Sequence, residues 1–260
     1  MTKQVIRAEG PEWIQREGLM AEPQAREDGW RTRDLAACFE WWYFDAHLDD
    51  GSTIVVVFSL RSMLSPAGPL LPTVDVTITR PDGSKFHRRQ VVGADAFSAS
   101  TETCEVRIGS SVIRGNLKEY EIRLEMGDLS GHLQMTNQVR AWRPGAGKNY
   151  YDDRLNTFFA WFVGVPYGTV NGTLTYEGKV HQVNGTGYHD HNWGNIGLQK
   201  VLSHWLWGRF HVDDITCIFV EMTAQPAYGS EKIPVLMVAK GADVLIGTSA
   251  LTLTQNDLVT

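Results

Sequence analysis

The sequence predicts an all-β protein of antiparallel strands. Three observations carry that expectation. Runs of β-branched and aromatic residues recur at about ten-residue spacing. Asp, Asn, Gly and Pro clusters separate the runs, and no apolar pattern of helical period persists between residues 40 and 260. Spacing of this kind belongs to sandwiches and barrels.

Residues 1–36 are polar and irregular, with weak helical potential around 11–20, and read as an N-terminal arm that wraps the body or stays mobile. The first strand spans residues 40–48. The turn Asp49-Asp50-Gly51 closes it into a second apolar run, 53–60, making a hairpin. The prolines of 65–72 exclude a central strand there. Residues 73–79 alternate Val, Val and Ile with Asp and Thr, and Arg80-Pro81-Asp82-Gly83 turns them into 85–92. Strands over 105–108, 112–115, 120–125 and 129–138 follow. A break rich in Gly, Pro, Asn and Asp covers 142–156, placing a domain boundary at 147/148 and a loop suited to cover a cavity mouth. Beyond it, strands are expected at 157–165, 168–176, 179–183, 188–194, 204–212, 215–224, 233–239, 244–246 and 250–254. The expected organisation is an arm (1–36), a first β-domain (37–147) and a second (148–260) that stops abruptly after a strand, either short or incomplete.

Composition narrows the function classes. A formal charge of −6 without a basic run argues against a nucleic-acid surface. No signal-peptide pattern and no apolar stretch near eighteen residues occurs, so a cytoplasmic protein without a membrane span is expected, with peripheral membrane contact left open. Cys38, Cys104 and Cys217 are odd in number and far apart, which suits buried thiols better than disulfides. Nucleotide loops and serine-hydrolase elbows are absent, and no cofactor is expected. The nine tryptophans are unusual for this length. Several sit beside polar residues, as in Trp205-Leu206-Trp207, which fits an aromatic-lined pocket for an apolar small molecule. Oligomeric state is not legible.

Two stretches concentrate the chemistry. Tyr188-His189-Asp190-His191-Asn192-Trp193-Gly194 follows Gly185-Thr186-Gly187, which reads as a bend. On a strand, Tyr188, Asp190 and Asn192 share one face, and His189, His191 and Trp193 the other. The first is a hydrogen-bonding row around an acid. The second is a His-x-His pair under an indole, but His204, His211 and Glu221 give no third ligand at a recognised spacing, and no metal is assigned. An Asp on an aromatic-lined face is desolvated, its pKa rises, and it can serve as a dry acid near neutral pH. Its other reading is an Asp that ties down the glycine turn. The second stretch is Glu40-Trp41-Trp42-Tyr43-Phe44-Asp45-Ala46. There Glu40, Trp42 and Phe44 share a face, and a buried Glu40 must be protonated or paired, with Arg61 or Arg209 as partners.

Together the two stretches resemble the signatures of the carotenoid 1,2-hydratase (hydroxyneurosporene synthase) and AttH-like family, over about residues 38–225. The resemblance implies two packed lipocalin-like β-domains and a cofactor-free enzyme acting on hydrophobic molecules. The same superfamily includes carotenoid hydratases and Diels–Alderases of polyketide pathways. It also implies Asp190 as the acid, Tyr188 as its neighbour and Trp161 as an aromatic partner. Where the hydratases carry a His two residues before Trp161, this chain has Phe159. Losing that polar group favours cyclisation or isomerisation over water addition.

The leading expectation is therefore a cofactor-independent cyclase of isoprenoid or polyene metabolism. Asp190 donates the proton, assisted by Tyr188, Asn192 and Glu40. Trp42, Phe44, Phe159, Trp161, Trp193, Trp205, Trp207, His189 and His191 shape the pocket. Alternatives are hydration of an isoprenoid double bond, a pericyclic reaction, and a carrier without chemistry.

Overall fold

The structure, a computed structural model, describes residues 3–254. It is nearly all β and antiparallel. The N-terminal strands are β1 (Ile6–Arg7), β2 (Phe39–Leu48), β3 (Thr53–Ser59), β4 (Thr73–Thr79), β5 (Lys85–Val91) and β6 (Phe97–Ala99). Then come β7 (Cys104–Ile108), β8 (Ser111–Gly115), β9 (Glu119–Met126), β10 (Leu129–Asn137), β11 (Lys148–Tyr150), β12 (Phe158–Tyr176) and β13 (Lys179–Gly194). The last four are β14 (Leu202–Val212), β15 (Ile215–Ala224), β16 (Lys232–Lys240) and β17 (Asp243–Thr248). One short α-helix, Pro11–Arg16, starts on a proline, whose fixed φ suits the first helical turn.

The first thirteen strands form one sheet, in the order β5-β4-β3-β2-β13-β12-β10-β9-β8-β7-β6, with β1 and β11 attached beside β12. Period-2 alternation drives it. In β3, Ile54, Val56 and Phe58 are buried while their neighbours are half-buried. The terminal strands contribute Phe86 and Phe97 to the same core as Trp42, Phe44 and Ile122, so the sheet curls around a single apolar interior. Strands β14 to β17 form a separate four-stranded sheet. A second core, including Ile218, Val220, Met222, Ile233 and Val235, joins it to Phe39, Trp161, Val163 and Tyr188 of the first sheet. The central strands β2, β13 and β12 are thus covered on both faces.

Several local expectations are revised. The runs 157–165 and 168–176 are one strand, with register shifts between Val163 and Gly168 that accommodate Pro166 inside the ladder. Residues 179–194 are likewise continuous, and Gly185-Thr186-Gly187 is not a bend. A Cβ on Gly185 would collide with the His47 carbonyl, so the glycine serves close strand approach. Because β12 and β13 pair with β10 and β2, the break between sheets falls after Gly194 rather than at 147/148. No strand forms over residues 250–254. From residue 3 on, the arm packs against the body, with Glu27 and Asp28 buried in a 3-10 turn. Cys38, Cys104 and Cys217 are free and buried. Among the described residues no helix is long and apolar enough to cross a membrane.

Candidate active site

The register of β2 against β13 assembles the site. Tyr43 lies opposite Asp190, Asp45 opposite Tyr188, and Trp41 opposite Asn192. Residues directly opposite on an antiparallel pair share a face. On the far side of β13, Trp161 of β12 lies opposite Asn192. This row looks towards the second sheet. Between the sheets lies a cavity of about 310 Å³, lined by Trp41, Tyr43, Phe159, Trp161, Asp190 and Asn192 on one wall. Trp205, Trp207, Val220, Met222, Ile233 and Val235 form the other. Trp205 is 48% exposed and stands at the opening, with Glu9, Lys148 and Asn149 also on the lining. The last two belong to the break after residue 142, which does border the cavity.

Asp190 is the acid of this wall. Its Oδ2 accepts from Trp161 Nε1 at 2.9 Å and from the Tyr188 hydroxyl at 2.8 Å. Its Oδ1 accepts from Asn192 Nδ2 at 2.7 Å. Burial penalises the carboxylate and pushes its pKa up to about 6, against a partial pull downward from Tyr188, Trp161 and His189. Burial and the adjacent Asp190 push the Tyr188 phenol well above its ordinary range, so it stays a neutral donor.

A second Tyr–Asp pair stands beside the first. Asp45 is buried and ion-paired with Arg209 of β14, which ties the two sheets together. Burial, together with the nearby Asp45 and Asp190, raises the pKa of the Tyr43 phenol. Trp207 packs on Tyr188 with ring centroids 5.1 Å apart.

The sequence profile of AttH-like proteins matches residues 35–258. The chain belongs to the AttH-like family. It is 22% identical over 224 residues to a hydroxyneurosporene dehydrogenase of Chlorobaculum tepidum, covering 70% of this chain and 56% of the relative. It is 25% identical over 213 residues to the quinolone epoxide rearrangement protein penF of Penicillium thymicola, covering 72% of this chain and 56% of that one. The chain thus spans little more than half the length of these relatives. The crystal structure of an AttH protein from Nitrosomonas europaea superposes with a TM-score of 0.65 at 17% identity, over 84% of this chain and 69% of the other. That likeness supports the lipocalin-like all-β fold.

In this AttH-like chain the cavity face holds six of the residues singled out from sequence: Asp190, Asn192, Phe159, Trp161, Trp205 and Trp207. Tyr188 backs Asp190 from within the wall. Glu40, Trp42, Phe44, His189 and His191 point the other way, because strand alternation sends them inside the curled sheet. Their expected roles at the cavity are therefore corrected. Trp193 shares their face and lines a different pocket beside the arm. Trp41 and Tyr43, passed over in favour of Trp42 and Phe44, take the cavity wall. Their sequence signal was parity: an antiparallel neighbour of β13 puts Tyr43 level with Asp190.

The inner face of β13 anchors the arm. His189 Nε2 sits 3.0 Å from Asp28 Oδ2, and its Nδ1 sits 2.9 Å from the Tyr43 carbonyl. Burial disfavours the imidazolium, but Asp28 outweighs it and the His189 pKa is raised. His191 Nε2 lies 2.8 Å from Glu40 Oε1, with its ring stacked on Trp42 at 4.6 Å. Glu40 also accepts from the backbone N–H groups of Arg31 and Thr32 and from the Thr32 hydroxyl. Its partner is thus His191 rather than Arg61 or Arg209. Asp28, Cys104 and His189 bring potential metal-ligand atoms within 4.8 Å of one another. The hydrogen bonds that join Asp28 to the Tyr120 hydroxyl and to His189 Nε2 account for that cluster as a polar core.

Proposed function

We propose that this chain carries a cofactor-independent acid–base enzyme that cyclises or rearranges a hydrophobic substrate, with Asp190 as proton donor. The observation that carries this reading is one buried carboxyl, met by three neutral donors, on the wall of an apolar aromatic cavity. The two halves of that environment act at different moments. Desolvation loads the proton before reaction. The donors from Trp161, Tyr188 and Asn192 then stabilise the carboxylate left after transfer, making Asp190 a stronger acid as the bond breaks.

The proton passes from the Asp190 carboxyl to an alkene carbon or an epoxide oxygen. Positive charge developing on the substrate faces the rings of Trp41, Phe159 and Trp205. Loss of a neighbouring proton returns Asp190 to its starting state, leaving an isomer of the substrate. Phe159 offers no group to hold a water, which favours isomerisation over hydration. The relative named for quinolone epoxide rearrangement supports chemistry of this type.

Incubating the purified chain with a panel of apolar polyenes and epoxides, in ordinary and heavy water, tests the reading by product mass. An isomer lost in Asp190→Asn is expected, with turnover reduced about 10²–10⁴-fold and ligand still bound. A product heavier by one water, or an Asp190→Asn variant of full activity, overturns it.

A further inference from the structure

We infer that the pocket formed by the arm with β12 and β13 is a second ligand site, taking a small organic oxyanion whose charged end lies among Arg26, Arg31 and Arg143. The site is separate from the acid at Asp190 and does not depend on its role.

The pocket has a volume of about 270 Å³ and two kinds of wall. Leu19, Phe158, Phe162 and Trp193 supply an apolar side. Arg26 and Arg31 of the arm, with Arg143 and Lys148 of the body, supply a basic side, and Glu17 and Glu27 are the carboxylates on the lining. Lys148 is ion-paired with Glu17, which leaves three guanidinium groups and Glu27. Neutral oxygens hold much of this cluster. Arg31 Nη1 donates to the Arg26 carbonyl at 2.6 Å, Arg26 Nη2 to the Gly18 carbonyl and Arg143 Nη2 to the Met20 carbonyl. A carbonyl satisfies an N–H but leaves the positive charge in place. Burial lowers the pKa of Arg31 and of Arg143, and Arg26 adds repulsion to both, against the pull of Glu40 on Arg31 and of Glu27 and Glu22 on Arg143.

Glu27 does not close the site. Its Oε1 accepts the Gln24 backbone N–H at 2.8 Å, and its Oε2 lies 3.1 Å from Arg143 Nε. That second contact is off the N–H axis. The Arg143 side chain is 4% exposed, and its Nε–H has no hydrogen-bond acceptor among the described residues. A buried charged donor without an acceptor is costly, and an oxyanion in the pocket supplies one. Arginine forks match planar carboxylates and phosphates, while the neighbouring rings match an apolar body.

Matched bicyclic probes test the site. 2-Naphthoate and 2-naphthyl phosphate carry an oxyanion, and naphthalene-2-carboxamide keeps the shape of the first without its charge. Equilibrium dialysis of the full chain near neutral pH is expected to show at least one anion bound about tenfold tighter than the carboxamide. The margin is expected to shrink in high salt. The stronger anion identifies the source as a carboxylate or a phosphate ester. Arg26→Gln and Arg31→Gln are each expected to lower anion affinity about three- to tenfold with carboxamide affinity unchanged. A merely structural role in seating the arm would move charged and neutral probes alike. Val220 lines the Asp190 cavity and not this pocket, so Val220→Trp is expected to leave anion binding intact. No binding of either anion, no preference over the carboxamide, a preference unchanged in both arginine variants, or anion binding lost in Val220→Trp overturns the inference.

Discussion

At the residue scale, the central fact is a carboxyl whose proton is worth something to the fold. Asp190 titrates at about 6 in the folded chain against an ordinary 3.8. A raised pKa means that protonation favours the folded state. The stabilisation is complete below about pH 4 and is lost as pH rises through about 6, a change of roughly 3 kcal/mol. Asp190→Asn does not titrate there. Urea unfolding of both forms should therefore show the wild type losing ground to Asp190→Asn between pH 4 and pH 7; a constant difference would contradict the raised pKa. Catalysis follows the same proton. The free-enzyme profile of kcat/KM is expected to be flat at low pH and to fall above about pH 6. The kcat profile should fall at a higher pH, since an apolar ligand in the cavity desolvates Asp190 further. A profile rising through pH 6 would assign Asp190 as a base.

At the element scale, β13 works with both faces. One presents Asp190 to the cavity, and the other holds the arm through His189–Asp28 and His191–Glu40. The arm in turn shields Trp42, whose indole N–H donates to the Asp28 carbonyl at 2.9 Å. Glu40 is fully buried and accepts from the Arg31 and Thr32 backbone and the Thr32 hydroxyl while meeting His191 Nε2, so disturbing these hydrogen bonds costs about 1–3 kcal/mol. Glu40→Gln is expected to unfold at correspondingly lower urea and to be cut faster by proteases within residues 17–37. Unchanged cleavage there would mean that the arm is held by other contacts.

At the scale of the whole molecule, the cavity exists because a second sheet lies over the outer face of the first. Val220 of β15 lies on its lining. Val220→Trp extends an indole into empty space of about 310 Å³. Filling a cavity costs little where no atoms must move. The expected outcome is loss of binding of the apolar polyenes and epoxides with the unfolding midpoint nearly unchanged. Retained binding would place the ligand site elsewhere.

By itself the sequence determined the all-β antiparallel class, the hairpin at Asp49-Asp50-Gly51 and the two chemically dense stretches. Those features are local: period-2 alternation, turn residues and composition are written in adjacent positions. It also set which side chains of residues 188–193 travel together, because alternation along a strand needs no partner. Only the tertiary structure decided which face of that row meets a cavity. Parity along one strand is symmetric until another layer covers a face, and the layer over Asp190 comes from residues 202–240. The same reason moved the expected role of Trp42 and Phe44 to Trp41 and Tyr43. It also turned His189 and His191 from pocket residues into anchors for Asp28 and Glu40. Asp28 and Arg209 join the story from 161 and 164 residues away along the chain, and such pairings follow from packing rather than from any local pattern.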